Sequence, residues 1–276
     1  MKFTRKSFLK TIGAGVASLS VPNIVLSSPK IKADHNLKFG LASYSFRKFS
    51  LEDTIKMTHQ LNLKHIALKS MHLPTKSSAD EIKAMAKKVR DVGIDLYGGG
   101  VIYMKSDKEV NNAFEYAKNA GFKVIIGVPN HELLPLVDKK VKEYDIKVAI
   151  HNHGPGDKVY PSPDDVYEKV KAFDKRIGLC IDIGHTYRIG QDPAEKAKKY
   201  FDRLYDIHLK DVDGLGANGK TLELGRGIMD IPKFLRTINK LNYQGIVSLE
   251  YEKDGDAPLP GAAESIGYAR GIMATI

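Results

Sequence analysis

The sequence predicts an α/β protein built as a single closed (β/α)8 barrel, and three observations carry that expectation. From residue 37 onward, short β-branched and apolar runs alternate with lysine-rich stretches of helical period. The alternation completes eight strand-then-helix units. No linker-like stretch interrupts it, which favours a closed barrel over an open sheet or two domains.

In chain order the expected strands are "KFGLASYSF" (38–46), "HIALKS" (65–70), "IDLYGGGV" (94–101), "KVIIGVP" (123–129), "KVAIHNH" (147–153), "IGLCIDIGH" (177–185), "LYDIHLKDV" (204–212) and "GIVSLEYE" (245–252). Helices are expected near 51–62, 78–92, 107–120, 131–144, 163–174, 192–202 and 231–241, with a last one after 261. Two helix starts carry caps: Ser162 stands before Pro163 and Asp192 before Pro193. Each pair joins a side-chain acceptor at the cap to a proline whose φ is already helical. At 42% apolar residues, a chain of 276 residues can bury a core of this size.

Composition excludes several classes. The one cysteine, Cys180, lies inside "IGLCIDIG", so the chain forms no internal disulfide and no Cys-rich zinc site. Any metal is left to His, Asp and Glu. Of the net charge of +10, four charges come from Lys2, Arg5, Lys6 and Lys10, in a stretch without acids. The remaining lysines are spread through helical stretches such as "EIKAMAKKVR" rather than interleaved with aromatics, which reads as a solvated surface and not a nucleic-acid groove.

Residues 1–30 read as an export leader: a basic head, then the Gly/Ala/Ser-rich "TIGAGVASLS". "TRKSFLK" resembles a twin-arginine signal with Lys6 at the second arginine. The apolar run falls short of the ~20 residues that span a bilayer, so stable membrane insertion is not expected. The expectation is an exported, periplasmic protein whose barrel occupies 37–276.

In such barrels the chemistry gathers at the carboxyl ends of the strands. Alternation places His151 with His153 on one face, His208 with Lys210, and Glu250 with Glu252. With those faces inward, His151, Asp182, His208 and Glu250 converge from four consecutive strands. Two imidazoles and two carboxylates suit one divalent ion, with Mn, Co or Zn preferred over Ca or Mg. Any one of the four taken alone reads as a structural residue or a helix cap. Together, without a cation, the two carboxylates would repel.

At these residues a resemblance becomes specific. "DIGH" (182–185), "HLKD" (208–211) and "LEYE" (249–252) resemble the xylose-isomerase-like TIM-barrel superfamily of sugar phosphate isomerases and epimerases, over about residues 37–276. "LASYSFR", "LKSMHLP", "GRGIMDIP" and "PLPGAAESIGYARG" are similar to exported proteins found beside carbohydrate-degrading genes in Bacteroidetes-like bacteria. The resemblance implies Asp182, His208 and Glu250 as ligands and His185 as a substrate contact. In epimerase members the fifth-strand ligand is a glutamate that forms a two-base pair with the eighth-strand glutamate. Here His151 takes its place, and the second strand ends in Lys69 rather than glutamate.

A metal-bound imidazole has no free lone pair, so His151 cannot serve as the missing base. What remains is a cation, one base and one acid, an inventory suited to β-elimination. Lys69 is the first candidate base, its alternative being an ion pair with Asp182 or Glu250. Glu252, His153, His185 and Lys210 are substitutes, and Lys210 pairing with Asp211 is a structural alternative. His72, His153 and Arg226 are candidate substrate contacts, with a surface role the alternative for Arg226. "GGG" (98–100) lacks dinucleotide spacing. The expected partner is a small carbohydrate. Given export, an unphosphorylated one is expected, and the resemblance to exported proteins acting on oxidised glycosides points to cleavage of a 3-keto-glycoside. Isomerisation or epimerisation of a free sugar is the alternative. An abasic-site endonuclease or a non-catalytic sugar-binding protein fits the residues less well.

Overall fold

The computed structural model describes residues 37–276, and the expected leader lies outside them. Eight parallel strands close a barrel: β1 (Lys38–Ala42), β2 (His65–Leu68), β3 (Asp95–Met104), β4 (Val124–Pro129), β5 (Lys147–His151), β6 (Ile177–Asp182), β7 (Leu204–Leu209) and β8 (Ile246–Leu249). Each strand pairs with its neighbours in sequence, and β1 closes on β8 with Phe39 opposite Val247. The helices around it are α1 (Leu51–Gln60), α2 (Ala79–Asp91), α3 (Asp107–Ala120), α4 (Leu134–Tyr144), α5 (Pro163–Val170), α6 (Ile183–Arg188), α7 (Pro193–Lys199), α8 (Ile231–Lys240) and α9 (Pro258–Met273). Among the described residues, no helix is long and apolar enough to cross a membrane.

The helices form for local reasons. Ser162 and Asp192 accept backbone N–H bonds at the starts of α5 and α7, as their positions before proline predict. In α8 the residues Ile231, Phe234, Leu235 and Ile238 fall on one face and are all buried. Removing each from water contributes about 1.5–3 kcal/mol before entropy is charged.

The strand boundaries differ from expectation where side chains replace the ladder. "KFGLASYSF" is a strand only to Ala42, because Ser43–Phe46 winds into a 3-10 turn. There Ser43 Oγ accepts from the Lys69 amide at 2.8 Å, and Ser45 Oγ accepts from the Tyr251 amide at 2.9 Å. The two serines thus stitch the end of β1 to the strand ends on either side. β6 stops at Asp182, whose Oδ1 accepts from the His185 amide at 2.8 Å and caps α6 within the expected strand 177–185. β3 runs three residues past its expected end and carries Tyr103 above the rim. The last helix starts at Pro258, ahead of the expected 261.

Candidate metal centre and active site

The barrel register delivers the four expected ligands to one place. Asp182 stands opposite His208 on β6 and β7, His208 opposite Ser248 on β8, and Glu250 follows β8 directly. His151 closes β5. All four are buried, and one ligand atom from each lies within 4.8 Å of the others. His151 Nε2 is 3.1 Å from His208 Nδ1 and 3.4 Å from Asp182 Oδ2, while His208 Nδ1 is 3.1 Å from Glu250 Oε2.

These separations fit a metal. Donors held at about 2.0–2.2 Å from a single ion stand roughly 3.0–3.5 Å from one another. Two observations on the donors agree. Asp182 Oδ2 is fully buried and meets only the cations and imidazoles of this cluster, Lys210 Nζ at 2.9 Å and His151 Nε2 at 3.4 Å, and of the two imidazole nitrogens that face each other only one can carry a proton, which leaves the other a lone pair. Counting Glu252, three carboxylates share the pocket with one ammonium, Lys210. The deficit of positive charge raises the affinity of His208 for a proton. Burial opposes its charge, and the Glu250, Asp206 and Asp182 carboxylates outweigh burial. His151, which desolvation dominates, is held neutral and available as a ligand.

Lys210 is fixed by its partners. Its ammonium lies 2.9 Å from Asp182 Oδ2, 2.8 Å from Glu250 Oε2 and 2.5 Å from Glu252 Oε1. Burial works against its charge, but the three carboxylates raise its pKa well above the usual lysine value. Gly184 makes this position accessible, since a Cβ there would collide with the Lys210 stem. A lysine so held is a poor base. The Lys210–Asp211 pair does not form: Asp211 instead accepts backbone N–H bonds from Val212, Gly225, Gly227 and Met229, folding the loop beyond β7.

Lys69 is its opposite. Its half-buried ammonium lies 5.2 Å from the Tyr44 ring centroid, and the ion pair with Asp182 or Glu250 does not form. Desolvation lowers its pKa despite the pull of Glu250 and Glu252. Glu252 is shifted upward, burial and neighbouring Glu250 prevailing over Lys210. The two groups flank the cage with shifts in opposite directions.

His153 and His185 complete the rim, with ring centroids 4.5 Å and 6.0 Å from that of His151. Desolvation lowers the His185 pKa to about 4 and lowers that of His153 as well, so both favour the neutral imidazole. His153 Nε2 lies 3.0 Å from the Tyr103 hydroxyl, and the rings stack. Tyr103, Tyr44 and Asn152 were not among the expected site residues. Asn152 faces away from the mouth, accepting from the Asp182 amide at 3.1 Å and donating to Thr186 Oγ1 at 3.1 Å, which braces the ligand loop. Its place beside His151 in "HNH" was the available signal. Tyr103 lay past the expected end of its strand.

Two expected contacts are not brought to the site. His72 is buried, with Nδ1 2.9 Å from Ser43 Oγ and Nε2 within reach of Thr54 Oγ1 and the Phe46 and Phe49 carbonyls. Both ring nitrogens are spent on the scaffold. Arg226 forms a two-point ion pair with Glu264 at the surface, the alternative that its Gly-flanked loop left open.

A family model described as xylose isomerase-like TIM barrel matches residues 108–272. Among curated proteins the chain is similar to an inosose dehydratase of Glaesserella parasuis serovar 5, at 28% identity over 152 residues, 48% of this chain and 48% of that protein. The chain spans about half the length of the curated relatives it matches. Among solved structures it is similar to the apo form of 3-keto-D-glucoside 4-epimerase, YcjR, from E. coli, with TM-score 0.67, 14% identity and coverage of 85% of this chain and 99% of that one. It is also similar to an IolI protein with a bound zinc atom, with TM-score 0.69, 14% identity and coverage of 87% and 99%. At such identities the structural likenesses speak for the fold. The family match extends over more than half of the sequence, and the chain belongs to the xylose isomerase-like TIM barrel family.

Proposed function

We propose that the protein is a divalent-metal-dependent sugar enzyme that removes a proton beside a ketone and cleaves a 3-keto-glycoside by β-elimination. The observation that carries this is the mouth's division of labour. A four-donor cage has histidine on the fifth strand, and beside it stands Lys69, whose ammonium faces the Tyr44 ring rather than a carboxylate.

A divalent ion of the Mn, Co or Zn class, held by His151, Asp182, His208 and Glu250, supplies Lewis-acid stabilisation of charge at the ketone oxygen. Lys69, as the neutral amine, takes the proton from C2. The C2–H electrons become the C1–C2 double bond, and the C1–O bond breaks with its pair leaving on the aglycone oxygen. Glu252, whose carboxyl is shifted upward, returns a proton to that oxygen. His153 and His185, both neutral, hydrogen-bond sugar hydroxyls, and the exposed Tyr103 ring offers a stacking face. The names of the similar proteins, a dehydratase acting on an inosose and an epimerase acting on a 3-keto-glucoside, accord with chemistry beside a sugar ketone. The leader expectation adds an exported location and an unphosphorylated substrate.

A second reading rests on Glu252. Two proton-exchanging groups around one sugar also suit isomerisation or epimerisation. Incubation with a 3-keto-glucoside in deuterated buffer, with and without EDTA, separates the two. Aglycone release that EDTA stops supports elimination. Deuterium in recovered sugar without cleavage supports epimerisation, and unchanged substrate in both arms contradicts both readings.

A further inference from the structure

One layer below the cage lies a second group of donors that the proposed reaction does not use. Cys180 on β6 stands opposite His151 on β5 and Asp206 on β7. Ligand atoms of Cys180, His151 and His208 lie within 4.8 Å of one another. The Asp206 carboxylate is beside them, its Oδ2 3.6 Å from His208 Nε2 and 3.7 Å from Cys180 Sγ, while its Oδ1 accepts from the Tyr97 hydroxyl at 3.1 Å. All four donors are at least nine-tenths buried. His151 Nδ1 and His208 Nε2, the ring nitrogens that face away from the cage contacts, have no hydrogen-bond partner. Buried imidazole nitrogens are rarely left unpaired.

We infer that the barrel holds a second, thiophilic metal position beneath the first, formed by Cys180, His151 and His208 with Asp206 beside them, which takes an ion of the zinc and cadmium class through sulfur. Thiolate and imidazole together select such ions, whereas the carboxylate-rich upper set also serves oxygen-preferring ones. Binding releases the Cys180 proton to solvent as the metal–sulfur bond forms. The two positions exclude one another at His208, because a neutral imidazole has one lone pair. With Nε2 on the lower ion, Nδ1 carries the proton and donates to Glu250 Oε2 at 3.1 Å. With Nδ1 on the upper ion, Nε2–H faces Asp206.

The test is titration of the chelator-treated full chain with Cd2+, following the ultraviolet thiolate-to-cadmium charge-transfer band. Cys180 is the chain's one cysteine, so the band has a single origin. The wild type is expected to develop the band to saturation at one Cd2+ per chain, and Asp182→Asn keeps it. Cys180→Ser and Cys180→Ala lose it, with Cd2+ affinity falling by more than about tenfold, the least that losing even an outer-shell partner tends to cost. Mn2+ titration of Cys180→Ser is expected to match the wild type. Absence of a thiolate band in the wild type overturns the inference, as does its loss in a folded Asp182→Asn variant. Failure of the wild type to bind Mn2+ speaks against the upper cage and leaves the sulfur band as a separate result.

Discussion

The two halves of the barrel mouth differ in how far their side chains are committed. On β5 to β8, His151, Asp182, His208, Lys210 and Glu250 are buried and lie against one another at 2.8–3.4 Å. On the side of β1 to β3, Tyr44, Lys69 and Tyr103 are partly exposed, and Lys69 has an aromatic face in place of a counter-ion. The two lysines show the consequence. The same side chain is held as a fixed cation where carboxylates surround it, and pushed toward the neutral amine where desolvation acts with little compensation. The committed half has the donors that could hold an ion, and under the proposed function the open half is the side that meets the sugar.

Breaking the committed half has the largest expected effect. Asp182→Asn or His208→Ala, or treatment with EDTA, is expected to lower turnover of the sugar ketone about a thousandfold or more, the scale of the several kcal/mol that metal stabilisation supplies. Retained turnover in a metal-free sample would remove the division altogether. Lys69→Met addresses the open half. It is expected to lower kcat by about a hundredfold or more while leaving bound metal per chain unchanged. A loss of metal alongside kcat would merge the two halves into one.

A smaller effect sharpens the boundary. Tyr103→Ala is expected to raise KM by roughly 2–10-fold with kcat nearly constant, the range of one aromatic contact of about 0.5–1.5 kcal/mol. A fall in kcat alone would assign Tyr103, through His153, to the committed half. A separate effect is on stability. The unfolded chain protonates His185 near 6.5 and the folded one at about 4. The unfolded state therefore binds more protons between these values, so this contribution is complete above pH 6.5 and declines as pH falls toward 4. In the chelated protein, melting temperature is expected to fall over that interval, and His185→Asn to flatten the fall.

Much of the committed half was legible in the sequence, and the reason is periodicity. Residues two apart on a strand share a face, and inward polar residues at successive strand ends have few destinations. His151, Asp182, His208 and Glu250 are placed by that rule alone. The open half was less legible because its elements depart from regular strand. Ser43 and Ser45 end β1 early through side-chain hydrogen bonds, and Tyr103 rides on an extension of β3. His72 illustrates a different limit. Its position just past a strand end matched that of a substrate contact, but both nitrogens are consumed by Ser43, Thr54 and two carbonyls from a turn distant in sequence. Arg226 met Glu264 from α9, a pairing that no local pattern announces.

The central claim is that one divalent ion sits among the side chains that close β5 to β8. Anomalous diffraction from crystals grown with Mn2+ tests it most directly. A single strong peak bounded by His151, Asp182, His208 and Glu250 is expected, absent from Asp182→Asn crystals grown in the same way. A barrel interior without a peak, or a peak away from those four residues that survives the substitution, would contradict it.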